Sequence, residues 1–245
     1  MNQLNVIQHT SADYLGLMED HLEGRRIRFR YFRPFTERGT IPGPGDVCDG
    51  LVLLGGGPWG SAGDRDVPTL DAEVSLTRNM LDQGKPVLGI GLGAQILAVA
   101  AGGSALAAPL EFRVSQARRV DSQALNGFMP ERFPLASYMR DRPQPPPGSK
   151  VLAVDDQERV AVFQVGQNSL GFCGHPGFKP AMAEDLIMEF EEGPENPVPS
   201  LEELRVTFGE IGDALVPIMT GIIQLTGLMQ IRRRIPLELK SESNS

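Results

Sequence analysis

The chain has 245 residues, of which 41% are hydrophobic and 22% charged, enough for one packed core. It carries 31 acidic and 23 basic side chains, a formal net charge of −8. Nucleic acid is therefore not an expected partner, because binding it requires a basic face. The two cysteines, Cys48 and Cys173, make no disulfide framework and match no zinc motif. The residues after Met1 lack a basic, apolar leader, and the cysteine usage fits a reducing compartment, so we expect a cytoplasmic protein. We also expect no metal and no cofactor.

The first 45 residues predict a strand, a helix and a second strand. An apolar run covers Leu4–His9, and Ser11 is placed to cap a helix that reaches Leu22. Apolar residues alternate with arginines over residues 26–31, which is typical of a strand near a sheet edge. Prolines and glycines make residues 34–45 a loop.

The next segment alternates apolar strands with amphipathic helices. Strands are predicted at Asp49–Leu54 and Val87–Ile90, and helices at Asp71–Leu81 and Ile96–Ala101. Short connections between such elements predict a parallel sheet covered by helices on both faces.

The pattern changes after Ser104. Residues 110–145 are rich in Pro and Arg and are predicted to be irregular. Short strands are predicted at 151–154, 160–165 and 170–173, the last two forming a hairpin. The whole pattern predicts an α/β fold with a mostly parallel central sheet that finishes in antiparallel strands.

Two strand ends are rich in glycine, at Gly55–Gly57 and at Gly89–Gly93. Small residues around a sharp strand-to-helix turn allow the central side chain to project, as in a nucleophile elbow. The following helix offers free N–H groups and the positive end of its dipole. At the tip of the second turn, however, stands Gly91.

Three segments resemble class I (triad) glutamine amidotransferases. Gly84–Ala98 is similar to the family's nucleophile segment, whose elbow reads G-I-C-x-G-x-Q. Asp49–Pro58 resembles the oxyanion strand, and Gly171–Gly177 resembles the segment G-x-Q-F-H-P-E. The resemblance covers most of residues 1–190. It implies a flavodoxin-like three-layer fold, and a reaction in which a cysteine thiolate attacks glutamine and the released ammonia passes to a synthase.

The resemblance also assigns roles around the elbow. The amide of Gly57 or Gly56, paired with that of Leu92, would form the oxyanion hole. Gln95 matches a residue that helps to hold the substrate glutamine, and Glu111 falls where an acidic residue often lines the same site.

The chain departs from the family at the chemistry itself. Gly91 stands in place of the cysteine, and Gly177 replaces the glutamate that orients the base. His175 remains at the base position, but Cys173 replaces the glutamine of its segment. Loss of the nucleophile alone lowers turnover by about 10⁶ in a comparable triad. We therefore expect a binding, regulatory or scaffold subunit that does not hydrolyse glutamine.

Two alternatives remain open from the sequence. Cys173 lies two residues from His175 on the same predicted strand, so it could replace the missing nucleophile, or His175 could activate water. Against this, Cys173 could be a structural thiol and His175 a structural histidine. Alternatively, the cleft vacated at Gly91 could bind a small carboxylate metabolite such as glutamine at the helix N-terminus, or stand empty.

A Pro-rich break after residue 192 divides the expected domains, an amidotransferase-like domain at 1–192 and a helical extension at 193–245. Ser200 and Glu203 form a predicted capping box at the start of that helix.

The extension contains an uncharged run at 214–231 followed by Arg232–Arg234. A membrane span is not expected, because Pro217 and several polar residues interrupt the run. We expect instead a helix packed on the core, a second copy or a partner. The expected assembly is a homo-oligomer, or a complex with a synthase or a homologous amidotransferase.

Overall fold

The computed structural model describes residues 2–43, 45–46 and 48–229. The elements in chain order are β1 (Gln3–Ile7), α1 (Met18–Gly24), β2 (Arg28–Phe32), β3 (Gly50–Leu53), α2 (Leu70–Asp82), β4 (Val87–Ile90), α3 (Leu92–Ala100), β5 (Ser104–Leu106), β6 (Glu111–Arg119), a 3₁₀ turn (Ala124–Gly127), β7 (Arg132–Met139), β8 (Arg142–Gln144), β9 (Lys150–Val154), β10 (Val160–Val165), β11 (Ser169–Phe172), α4 (Pro180–Glu189) and α5 (Val198–Thr226).

Nine strands of the described chain form one sheet in the order β2-β1-β3-β4-β11-β10-β9-β6-β7. The first five strands are parallel, and the pairings from β11 to β7 are antiparallel. β5 and β8 form a separate two-stranded ribbon. The predicted α/β fold is confirmed, as are the edge position of β2 and the β10–β11 hairpin.

The prediction that residues 110–145 are irregular is wrong. β6 and β7 pair over eight residues, from Glu111 opposite Met139 to Arg118 opposite Arg132. On β6, Phe112, Val114 and Ala117 are buried, while the charged residues are only partly buried. Arg113 and Arg118 form ion pairs with Asp156 and Glu158, so arginines that interrupt the apolar pattern are accommodated within the strand.

Alternation along the central strands builds two apolar layers. On β3 and just beyond it, Val52 and Leu54 pack with residues of α1 and α5, whereas Leu51 and Leu53 pack with α2 and α3. A strand buried on both faces reads as a continuous apolar run, which is why β3 was recognisable in the sequence.

Three element boundaries in the structure differ from those predicted from the sequence. Ser11 caps no helix, since α1 begins at Met18 after Leu17. α3 begins directly at Leu92 rather than at Ile96. β11 ends at Phe172, so Cys173 and His175 do not share a strand.

The C-terminal helix α5 packs on the sheet through a buried side that includes Leu215 and Ile222. It begins at Val198, and Ser200 forms no capping box, because its hydroxyl donates to the Phe112 carbonyl at 2.7 Å. α5 is long and apolar enough to cross a membrane, but core helices of soluble proteins pass the same test, and 39% of its most apolar window is buried. The end of the predicted uncharged run and Arg232–Arg234 lie outside the described residues.

Candidate functional site

The turn between β4 and α3 has the geometry of an elbow. Gly91 has φ 57° and ψ −115°, and α3 begins at the next residue. A Cβ atom built at Gly91 would meet the Gly55 Cα at 3.4 Å, an ordinary van der Waals contact. The backbone therefore leaves space for a side chain that the sequence does not supply.

The space beside Gly91 is a cavity of about 10 Å³. Its walls are Asp13, Gly55, Ile90, Gly91, Tyr138, Cys173, Gly174, His175 and Phe178. Such a volume holds at most one water molecule. The carboxylate ligand considered from the sequence does not fit in this cavity as it stands.

Two buried polar groups in the cavity wall were missed by the sequence reasoning. Asp13 Oδ1 and Tyr138 Oη have no hydrogen-bond partner within the described chain. Burial raises the pKa of Asp13 to about 7 and that of Tyr138 to about 12. No motif marks Asp13, because only the folded chain brings it to the elbow.

His175 is held by backbone groups on both ring nitrogens. Nε2 lies 2.7 Å from the Tyr14 carbonyl oxygen, which can only accept, so this nitrogen carries the proton. Nδ1 accepts the Gly177 N–H at 3.0 Å. Burial lowers the pKa of His175 to about 4, and the imidazole is neutral at physiological pH. No ring nitrogen remains free to accept a proton at Gly91.

The position of the missing triad acid is closed by neighbouring backbone. A Cβ at Gly177 would lie 3.1 Å from both the Met18 backbone nitrogen and its Cγ. The Leu17 N–H donates to the Gly177 carbonyl at 3.0 Å, and a Cβ at Gly16 would lie 2.2 Å from that same oxygen. Glycine at 16 and 177 thus allows the chain to pass close to the His175 segment.

Cys173 is half-buried in the segment that follows β11. Burial, followed by the negative charge of Asp155, raises the pKa of its thiol to about 12. The thiolate is the nucleophilic form of cysteine. At neutral pH Cys173 is therefore protonated and weakly reactive.

Gln95 lies at the elbow, but its amide is used within the protein. Its Oε1 accepts from the Ser61 hydroxyl at 2.7 Å, and its Nε2 donates to the Arg140 carbonyl at 2.6 Å. The side chain is fully buried. It therefore bridges two loops and is enclosed by the protein.

The loop after β3, residues 54–62, is here called the glycine loop. It brings the predicted oxyanion positions together, since a Cβ at Gly56 would lie 2.5 Å from the Leu92 side chain. Gly57 has φ 55°, and the Phe190 ring lies 3.0 Å from the position that its Cβ would take. Gly56, Gly57 and Leu92 are thus adjacent, but Phe190 and Leu92 fill the space around the two glycines.

Arg140 and Asp141, which directly follow β7, hold the glycine loop in place through hydrogen bonds. The Arg140 Nε donates to the Pro58 carbonyl at 2.9 Å, and Asp141 Oδ2 accepts from the Ser61 and Ala62 amides at 2.9 and 3.1 Å. Glu192, from the α4–α5 connection, pairs with Arg140. These contacts hold the loop closed over the elbow.

A buried ionic pair supports the same loop from the other side. His9 Nδ1 is 3.0 Å from the Gly55 carbonyl oxygen, and Nε2 is 2.8 Å from Glu73. Both side chains are fully buried. Burial lowers the pKa of His9, but the Glu73 carboxylate outweighs it, and the net pKa is raised. Neither residue belongs to a motif, so the sequence did not indicate this role.

Glu111 is placed away from the elbow. It lines a second cavity, of about 360 Å³, between the antiparallel half of the sheet and the β5–β8 ribbon. Both of its carboxylate oxygens accept from Arg142 at 3.0 Å. Cys173 contributes to the walls of both cavities. Gln95 lines neither of these two cavities, and a site shared by Glu111 and Gln95 stays a prediction.

Known proteins share this architecture. A glutamine amidotransferase from Thermotoga maritima superposes with a TM-score of 0.76 at 21% identity, covering 92% of this chain and 98% of its own. A glutamine amidotransferase from Methylobacillus flagellatus gives a TM-score of 0.77 at 21% identity, with 91% and 95% covered. A protein from Thermoplasma acidophilum, described as a putative GMP synthase component, gives a TM-score of 0.54 at 20% identity, with 89% and 97% covered. At such identities the likeness concerns the fold.

Sequence comparison carries the family assignment. The glutamine-hydrolyzing GMP synthase of Aeropyrum pernix is 35% identical over 164 residues, which are 64% of this chain but 30% of that relative. The model of the family "Glutamine amidotransferase class-I" matches residues 30–191, about two thirds of the chain. The chain belongs to the class-I glutamine amidotransferase family.

Proposed function

We propose that this family member is a binding, regulatory or scaffold subunit that does not hydrolyse glutamine. The observation that carries the proposal is the elbow itself. Gly91 has no side chain, and both ring nitrogens of His175 are bonded to backbone groups. Covalent catalysis requires a nucleophile and a base within reach of each other.

The geometry argues against both substitute mechanisms, attack by the Cys173 thiol and activation of water by His175. A thiol with a pKa of about 12, as at Cys173, supplies almost no thiolate at neutral pH. Activation of water by His175 requires a free lone pair on its ring, and the Gly177 N–H takes it. Gln95, which would hold the substrate, is bonded on both sides of its amide.

The proposed partner is a synthase or an active homologous amidotransferase. The Aeropyrum relative is named a GMP synthase, and the Thermoplasma neighbour is named as part of one. We place the contact on the C-terminal extension, where α5 exposes 84% of Val206. Self-association through the same helix and a cytoplasmic location belong to this proposal, as does a domain boundary near residue 193.

Ammonia release from glutamine by the purified protein tests the catalytic part. Wild type, His175→Ala and Cys173→Ala are expected to give the same background rate. Turnover in the wild type that either substitution abolishes would contradict the proposal.

Affinity capture from the source cells, with mass spectrometry, tests the partner. A synthase or an amidotransferase is expected with wild type and is expected to be lost with Val206→Glu. Phe35→Glu, at an exposed residue of the loop after β2, is the matched control and should retain the partner. Equal capture of the partner by both variants would show that this surface of α5 is not the contact.

A further inference from the structure

The cavity between the antiparallel half of the sheet and the β5–β8 ribbon is large enough for a small molecule. Its volume of about 360 Å³ lies within the range of roughly 300–1,000 Å³ found for small-molecule sites. Much of its wall is apolar, formed by Leu106, Pro109, Leu135, Met139, Pro143 and Val160. An apolar ligand body would therefore be well accommodated.

Two guanidinium groups converge on one carboxylate at the edge of this cavity. Arg142 Nη2 donates to both oxygens of Glu111 at 3.0 Å. Arg159 Nη1 lies 3.5 Å from Glu111 Oε2. The Glu111 side chain is 41% exposed, against 28% and 27% for the two arginines. The carboxylate is thus the most solvent-accessible member, and it can leave the cluster by rotating outward.

We infer that this cavity binds a small organic anion with an apolar body. The anionic group of the ligand takes the place of Glu111 between Arg142 and Arg159, because the fork of a guanidinium matches a carboxylate. Glu111 then acts as an internal competitor that fills the anion position in the unbound protein. The inference does not depend on whether the protein hydrolyses glutamine.

The same cluster disfavours a zwitterionic amino acid as the ligand. An α-amino group needs an uncommitted carboxylate within the cavity, whereas the displaced Glu111 turns outward to solvent and the other acids that line the cavity are engaged. Asp155 accepts from the Arg159 side chain at 2.7 Å and from the Gln157 and Arg159 amides at 2.9 Å. Glu158 pairs with Arg118 at 2.8 Å, and Asp141 accepts backbone amides. The preferred ligand is therefore a simple anion.

Calorimetric titration with 2-naphthoate tests the inference, with 2-naphthamide as the uncharged isostere. Wild type should bind the anion at least tenfold more tightly than the amide. Glu111→Gln removes the competing charge and should tighten naphthoate binding about tenfold. Arg142→Ala and Arg159→Ala should each weaken it at least tenfold.

Arg132→Ala is the matched control, because Arg132 is an exposed arginine of β7 that does not line the cavity. It should leave the affinity unchanged. Equal affinity for naphthoate and naphthamide would overturn the inference, and so would a Glu111→Gln variant that binds the anion no more tightly than wild type. The second result is decisive even if an arginine variant fails to fold, since a half-exposed Glu111 tolerates an isosteric amide.

Discussion

The Tyr14 carbonyl oxygen accepts the Nε2–H of His175 at 2.7 Å. This bond occupies one ring nitrogen of the residue at the base position, and the Gly177 N–H occupies the other. Since a protonated Nδ1 could no longer accept from Gly177, the arrangement is compatible only with a neutral ring. The site that the family uses for proton transfer is here a structural link between two backbone segments.

The pKa of each of the three histidines should be shifted from its usual value. We expect His175 to remain neutral until about pH 4, whereas the pKa of His9 lies above the usual value and that of His21 below it. Burial is the main cause at His175 and His21, and the Glu73 carboxylate is the cause at His9. Nitrogen-15 NMR of labelled imidazoles measures each titration and the tautomer. A His175 signal that titrates near pH 6.5 would contradict the hydrogen bonds described.

Asp13 and His175 should have opposite effects on the pH dependence of stability. The pKa of Asp13 is raised to about 7 from 3.8, so the native state binds more protons and stability falls as pH rises through this window. The pKa of His175 is lowered to about 4 from 6.5, so stability is lost as pH falls through that window. Each effect has a limiting slope of about 1.4 kcal/mol per pH unit.

Asp13→Asn separates the two contributions. Relative to wild type, this variant should gain stability as pH rises from 4 to 7 and show a constant difference above that, measured by urea unfolding. Asp82→Asn, at an exposed residue of α2, is the control and should show no such trend. A pH-independent difference for Asp13→Asn would show that the carboxyl is not buried as described.

A variant with cysteine at the tip of the elbow should fold but show no glutaminase activity. The Gly91→Cys side chain has space, but a non-glycine residue at φ 57° costs about 1–3 kcal/mol of stability. No glutaminase activity is expected, because His175 has no free nitrogen to activate the thiol. Gly91→Ala is the control, since it carries the same backbone cost without the sulfur. Ammonia release by Gly91→Cys would refute this account of His175.

Adding the acid should not rescue the reaction. Gly91→Cys together with Gly177→Glu supplies both side chains that this chain lacks relative to the family's triad. A Cβ at residue 177, however, lies 3.1 Å from the Met18 backbone nitrogen, so the start of α1 must shift by a few tenths of an ångström to admit the new side chain. The double variant should be less stable than Gly91→Cys in thermal unfolding and equally inactive. Measurable turnover would show that the segment moves at little cost.

The sequence predicted the parallel half of the fold and the elbow, because buried strands and glycine turns leave local patterns. It did not predict the environment of His175, which depends on Tyr14 and His175 meeting across 161 residues of chain. Asp13 was missed for the same reason. The β6–β7 pair was missed because charged residues interrupt the apolar residues of β6, so the strand does not form an apolar run.

Cys173 should resist alkylation in the native protein. With a pKa raised to about 12, its thiolate fraction at pH 8 is about 10⁻⁴, and the thiolate is the reacting species. Iodoacetamide labelling followed by peptide mass spectrometry should show slow modification that accelerates once urea unfolds the chain. Cys48, also buried, serves as the internal comparison. Rapid native labelling of Cys173 alone would revive it as a candidate nucleophile.

Gln95 should control whether the glycine loop remains closed over the elbow. Gln95→Met keeps the volume but leaves the Arg140 carbonyl and the Ser61 hydroxyl without their partner, at a cost of about 1–3 kcal/mol. The loop carries the single tryptophan, Trp59, on which the Arg65 guanidinium stacks at 4.9 Å. Hydrogen exchange at residues 59–62 should accelerate and Trp59 emission should shift to longer wavelength. Gln83→Met, at an exposed position at the end of α2, should change neither reading. If Gln95→Met left both readings unchanged, the contacts from His9, Arg140 and Asp141 would be sufficient to hold the loop.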